Sequence, residues 1–262
     1  MTGAAAAARR ALLIGGLPLA LLALWWVASA DSQSFYLPPL RQILATFADV
    51  WVGPRLVDDV LPSLVRLLAG FSLATVLGVA VGVAVGSSRR LRAALEPVLE
   101  FLRAIPPPVL VPIFILVAGI GTTMKVLVIV SGCVWPILLN TVEGVRGRDE
   151  VLEDTCRAFG IAGSARLRHL VLRAASPQIV AGMRQALAIG IILMVISEMF
   201  AASSGLGFTI IQFQRGFAIP EMWSGILLLG LLGVALSLAF RVFERRVLAW
   251  YHGLRRVERG PA

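Results

Sequence analysis

Charge is scarce in this 262-residue chain: 15% of its positions are Asp, Glu, Lys or Arg, where an ordinary soluble domain carries about a quarter. Lysine is nearly missing, since Lys125 stands alone, and there are two cysteines and two histidines. Each shortage excludes a class of chemistry. Cys133 sits in an apolar run and Cys156 in a charged stretch, so no disulfide is expected, and no CxxC spacing offers a metal site. His169 and His252 fall in basic segments between apolar runs, leaving no intramembrane imidazole for a proton relay or a Ser–His hydrolase. No GxxxxGK(S/T) phosphate loop is present, so the chain cannot itself cradle ATP as such loops do.

What is abundant is apolar. Hydrophobic residues make up 58% of the chain and the mean hydropathy is +0.86. They come in runs of about 16 to 24 residues, the length that crosses a bilayer core of roughly 30 Å. The expected fold class is therefore an all-α polytopic membrane protein with six transmembrane helices, at 11–30, 64–86, 105–120, 126–142, 179–202 and 222–240. A barrel would need repeated alternating strands, and none recurs.

The net charge of +9 invites a nucleic-acid reading, yet the basic residues sit between the spans. They read as topology signals. Segments 1–10, 87–104, 143–178 and 241–262 hold 18 of the 24, against 4 in 31–63, 121–125 and 203–221, with Arg66 and Arg184 near span ends. This predicts both termini in the cytoplasm of a cell inner membrane, lipid as a partner and no nucleic acid. Arg66 and Arg184 are expected to snorkel to an interface, and Lys125 lies at an external edge.

The domains follow. Residues 1–63 hold the first span and an external segment, 64–246 a core of five spans, and 247–262 a basic tail. The first span, with Arg9 and Arg10 before it and Ala28-Ser29-Ala30 after, imitates a cleavable signal peptide, but its length and Trp25-Trp26 favour retention. Beyond it, Leu40, Ile43, Leu44, Phe47 and Trp51 recur at helical spacing. That segment either lies on the outer surface or also meets an extracytoplasmic partner.

Residues 143–178 are too ordered for a linker. Asp149-Glu150 starts a helix running to Phe159, and Gly160 stops it. Ser164 can cap a second short helix whose Leu167, Leu170 and Val171 form an apolar ridge, before Pro177 opens the fifth span. By physics alone such an elbow could rest on lipid or dock a partner.

The stretch Asp154-Thr155-Cys156-Arg157-Ala158-Phe159-Gly160, with Pro177 after it, resembles the EAA motif of ABC-importer permeases. Ser87-Ser88-Arg89-Arg90-Leu91-Arg92, Arg103-Ala104-Ile105-Pro106-Pro107-Pro108, Pro136-Ile137-Leu138-Leu139-Asn140-Thr141 and Ser197-Glu198-Met199-Phe200 look like the sulfonate, taurine and nitrate branch. The resemblance implies a type I importer-like fold in which the elbow couples to an ATPase through Glu153, Asp154, Ala158, Phe159, Gly160, Leu167, Leu170 and Pro177. Either Glu153 or Asp154 can fill the acid position. It also implies a homodimer, two cytoplasmic ATPase subunits that use ATP-Mg, an extracytoplasmic binding protein, and no cofactor on this chain.

Polar and helix-breaking residues in the spans nominate a path. Pro106, Pro107 and Pro108 permit a broken helix, tolerated only where protein or water covers the freed carbonyls. Glu198 is an expensive intramembrane acid that either faces a wet cavity or pairs with a polar neighbour. Gly70, Gly78, Gly82 and Gly86 form a small-residue face suited to helix contact. The alternative function, a small channel or secondary carrier, would be expected to show internal repeats and often intramembrane ionisable pairs, and neither is visible in the sequence.

Overall fold

The computed structural model describes residues 3–200, 202–251 and 253, with side chains from residue 15 onward. Ala201, His252 and the basic tail 254–262 lie outside the described residues. The chain runs as helices α1 (Gly3–Ser29), α2 (Leu40–Trp51), α3 (Leu61–Ser87), α4 (Arg89–Arg103), α5 (Val111–Ala118), α6 (Thr122–Arg146), α7 (Glu150–Ala158), α8 (Gly163–Arg166), α9 (Leu172–Phe200), α10 (Leu206–Arg215) and α11 (Ile219–Val247). Short π turns at Leu56–Val60 and Leu167–Val171 lead into α3 and α9, and a 3-10 turn at Pro107–Leu110 leads into α5.

Among the described residues, four helical runs are long and apolar enough to cross a membrane: Leu56–Ser87, Thr122–Arg146, Gly163–Phe200 and Ile219–Val247. The expected third span is not one helix. Pro106, Pro107 and Pro108 deny the backbone its donors, and α4 meets the 107–118 segment at 83°. With eight residues, α5 rises only about 12 Å and cannot cross alone. The bent pair together makes a fifth candidate. The expected first span lies partly among residues whose side chains are not described, so six spans are not shown.

The core is the contact of α3, α6 and α9. Small residues allow it. A Cβ placed at Gly70, Gly78, Gly82 or Gly86 of α3 would sit 2.6 to 2.9 Å from Ile129, Ile137, Thr141 or Val145 of α6. The two backbones therefore approach as only a glycine seam permits, which is the packing role expected of that face. Gly182 of α9 meets the Pro136 carbonyl of α6 in the same way.

Pro177 does not open the fifth span. It sits inside α9, and the Arg173 carbonyl that its ring leaves without a backbone donor accepts from Ser176 Oγ at 2.9 Å. The segment expected outside becomes α2, which packs Leu40, Ile43 and Trp51 inward against α11, with Trp51 Nε1 donating to Ser224 Oγ at 2.9 Å. Its apolar face is thus spent mostly within the chain.

Candidate functional site: a buried ion-pair hub and a projecting elbow

The first candidate forms where α3, α9 and α10 meet. Asp59, Ser63 and Arg66 lie at i, i+4 and i+7, so one helical face presents all three. Opposite them stands Glu198, fully buried near the end of α9. Arg66 Nη1 donates to Glu198 Oε1 at 2.7 Å and to the Ser204 carbonyl at 3.0 Å, while Nη2 donates to Ser204 Oγ at 3.0 Å. Ser63 Oγ lies 2.8 Å from both Glu198 oxygens and accepts from the Leu206 N–H at 2.9 Å. Gly205 N–H donates to Asp59 Oδ1 and Gly207 N–H to Glu198 Oε2, both at 3.1 Å.

Three side chains from other elements therefore take the free N–H groups at the start of α10, a job usually done by a local cap. Gly205 makes the approach possible. Its φ of +118° suits glycine, and a Cβ there would lie 2.5 Å from the Glu198 carboxyl.

This corrects two expectations. Arg66 does not snorkel; it is 7% exposed and bonded to Glu198. Lys125, in the first turn of α6, is buried as well. The chain also holds an ionisable pair between two span-forming helices, so the absence of such pairs cannot count against a carrier. Of the two settings open to Glu198, the structure takes the polar partner. The i, i+4, i+7 pattern of Asp59, Ser63 and Arg66 was the signal that could have found the hub. Arg184, by contrast, is exposed and pairs with Glu244 across α9 and α11.

The second candidate is the elbow. Asp149 Oδ1 accepts from the Val151 N–H at 2.8 Å and caps α7. At the other end Gly160, φ +64°, carries paired bonds: its N–H to the Arg157 carbonyl at 3.1 Å, and the Ile161 N–H to the Cys156 carbonyl at 2.8 Å. This is a Schellman stop. Ser164 caps nothing; a second left-handed glycine, Gly163 at φ +59°, begins α8 instead.

The two candidate acids differ. Glu153 accepts a close bond from Arg166 and pairs with Arg157 at 3.5 Å and Arg148 at 3.6 Å, tying α7 to α8. Partial burial pushes its carboxyl up, but the Arg166 hydrogen bond and the surrounding guanidinium charges outweigh that and hold it below the ordinary range. Asp154 is exposed and, among the described residues, pairs only with Arg157, at 3.0 Å.

The apolar ridge is smaller than expected. Leu170 and Val171 are buried, Val171 against Val145 and Ala175, so they cannot serve a partner. Helical periodicity identified a stripe but not what covers it. Val151 (71% exposed), Leu152, Phe159 (78%), Ile161 and Leu167 remain open on the elbow. Ala158 and Gly160 are exposed beside them, and Pro177 is half-buried farther along.

The comparisons agree with this architecture. Residues 74–249 match the family described as binding-protein-dependent transport system inner membrane component. The chain is 30% identical to the taurine transport system permease protein TauC of Escherichia coli, covering 92% of this chain and 90% of that one. It is 30% identical to SsuC of Bacillus subtilis, a permease protein named for aliphatic sulfonates transport, over 89% and 86%. It is 32% identical to the bicarbonate transport system permease protein CmpB of Synechococcus elongatus, over 71% and 67%. A chain of the inward-facing MetNI methionine ABC transporter superposes with a TM-score of 0.56 at 21% identity, covering 79% of this chain and 95% of that one, a likeness of fold. The chain belongs to the family of binding-protein-dependent transport system inner membrane components: it is a membrane-embedded permease subunit of an ABC importer, and not an enzyme.

Proposed function

We propose that two copies of this chain form the translocation path of an ATP-driven importer, with each elbow seated on its own cytoplasmic ATPase subunit. A permease of this family works with ATPase and substrate-binding partners in general. The ATPase uses ATP-Mg, an extracytoplasmic binding protein delivers the cargo, and both chain termini face the cytoplasm. The cargo is a small solute bearing an oxyanion group, such as an organic sulfonate, taurine or nitrate. Relatives named for sulfonates, taurine and bicarbonate support that class. Pro106, Pro107 and Pro108 line the path at the 83° break, and Glu198 supports its wall by holding α10.

The observation that carries the reading is the elbow, an ordered unit of α7 and the start of the Gly163–Phe200 run that leaves Val151, Leu152 and Phe159 uncovered by its own chain. Glu153 and Asp154 keep it rigid and charged; Ala158, Gly160 and Leu167 complete the docking face.

Gly160→Val tests it. The left-handed φ is closed to a β-branched residue, while open space around the position means nothing else is disturbed. The variant should insert and dimerise but lose its ATPase on co-purification, with uptake falling in step. Full ATPase retention and uptake would overturn the docking role. A reporter placed within 161–165 should read cytoplasmic, and an external reading would overturn the orientation.

A further inference from the structure

Beside the elbow, the ends of α3 and α6 and the start of α4 enclose an open cavity of about 790 Å³ lined by Arg89, Arg92, Arg146, Arg148 and Arg157. Two carboxylates, Glu143 and Glu153, share the wall, leaving five positive against two negative charges, a formal +3. Both acids are already engaged, Glu143 with Arg146 at 2.8 Å and Glu153 with Arg148, Arg157 and Arg166. Among the described residues, neither Arg89 nor Arg92 pairs with a carboxylate.

Arg148 is the telling side chain. It is 12% exposed, and its Nε and Nη1 are buried without a hydrogen bond. Buried guanidinium donors ordinarily find an acceptor, because an unmet one forfeits its hydration. A second observation points the same way. Helix α4, fifteen residues long and capped by Ser88, carries Arg89, Arg90 and Arg92 in its first turn and no acid, the reverse of what the positive end of a helix dipole favours. Such an N-terminus is stabilised by an anion.

We propose that this cavity binds a phosphate group. Several arginine forks around one tetrahedral, multiply charged anion satisfy donors that a single carboxylate would leave short. The last residues of α3 and α6, Ser87 and Arg146, bring the cavity to the ends of two apolar spans, the depth of lipid headgroups. An anionic phospholipid headgroup and free inorganic phosphate share this chemistry. Either would tie the α3–α4 junction to Arg148 and, through Glu153, to the elbow. The proposal is independent of transport direction and of what the elbow docks against.

The test uses the full-length chain in nanodiscs of phosphatidylcholine with a minority of phosphatidylglycerol, with co-retained lipid read by native mass spectrometry. Phosphatidylglycerol should be enriched about tenfold over its share, given the attraction each arginine adds near a membrane surface. Arg92→Gln with Arg148→Gln should abolish the enrichment, and Arg103→Gln, outside the cavity and paired with Glu100, should leave it. In phosphatidylcholine-only discs radiolabelled inorganic phosphate is titrated. Saturable binding that the double variant loses identifies free phosphate as the occupant; lipid enrichment without it identifies the headgroup. Should the double variant misfold, Arg92→Gln alone, which breaks no internal pair, should lower the same readouts severalfold. No enrichment and no saturable phosphate, or an equal loss in Arg103→Gln, would overturn the site.

Discussion

Glu198 and Glu153 are both acids held by arginine, the first near the end of the helical run Gly163–Phe200 and the second just before its start, yet they are held differently. Glu198 has no exposure and its arginine almost none, so the pair is desolvated and every lone pair must find a protein donor. Arg66, Ser63 and the Gly207 N–H supply them. Glu153 keeps a 22% exposed side chain and shares three arginines, of which Arg157 lies open to water at 71% exposure. The same chemistry therefore does two jobs. A buried pair makes its neighbours interdependent, because removing one partner strands a charge. An exposed cluster biases an orientation while each member adds little.

The comparison is sharpest at Glu198. Glu198→Ala leaves Arg66 buried with only Ser204 to receive it, and should destabilise the chain by about 3–5 kcal/mol in detergent unfolding. Pairing it with Arg66→Met should restore much of the loss. A single-variant cost below about 1 kcal/mol would mean the pair is hydrated and the contrast false.

Gly205→Ala comes next. Its φ of +118° and the Cβ set against the Glu198 carboxyl should cost about 1–3 kcal/mol, and amide exchange at the start of α10 should rise. Unchanged exchange there would show that the hub does not cap α10.

Glu153→Gln should cost under about 1 kcal/mol globally while raising exchange across α8. A large global loss would make the elbow as interdependent as the hub.

The smallest effect is with pH. Because Glu153 has its folded pKa depressed, its contribution is present above the ordinary value of 4.5 and is lost only as pH falls through the lower folded value. Elbow protection should hold from neutral pH down to that ordinary value and weaken below it, with the acid-induced step missing in Glu153→Gln. A loss beginning well above 4.5 would show that the arginines do not depress the carboxyl.

The elbow was legible because its signals are local. Asp149 caps two residues ahead, and Gly160 terminates a helix whose acids lie in its first turn. The glycine face of α3 was legible for a similar reason, since a repeat of small residues announces close packing whatever the partner. The hub was not. Arg66 and Glu198 are 132 residues apart, and the spacing of Asp59, Ser63 and Arg66 states that three polar groups share a face without saying what they face. The same gap misassigned Leu170, which is buried, and Val171, whose cover includes Val145 of α6 and Ala175 of α9. Pro177 was read as a boundary because a proline removes a donor, and Ser176 supplied the missing one.

By itself the sequence determined that this chain lives in a membrane, that long apolar helices cross it, and that an ordered elbow lies between two of them. Apolar length, caps and left-handed glycines act over a few residues, and the bilayer enforces the rest. Only the tertiary structure decided that the proline segment bends by 83°, that Arg66 is buried, and that α10 takes its cap from α3 and α9. Those outcomes depend on which distant helices meet, and at what depth, because a charge or an open N–H in a low-dielectric interior is stable only against the partner that packing brings to it.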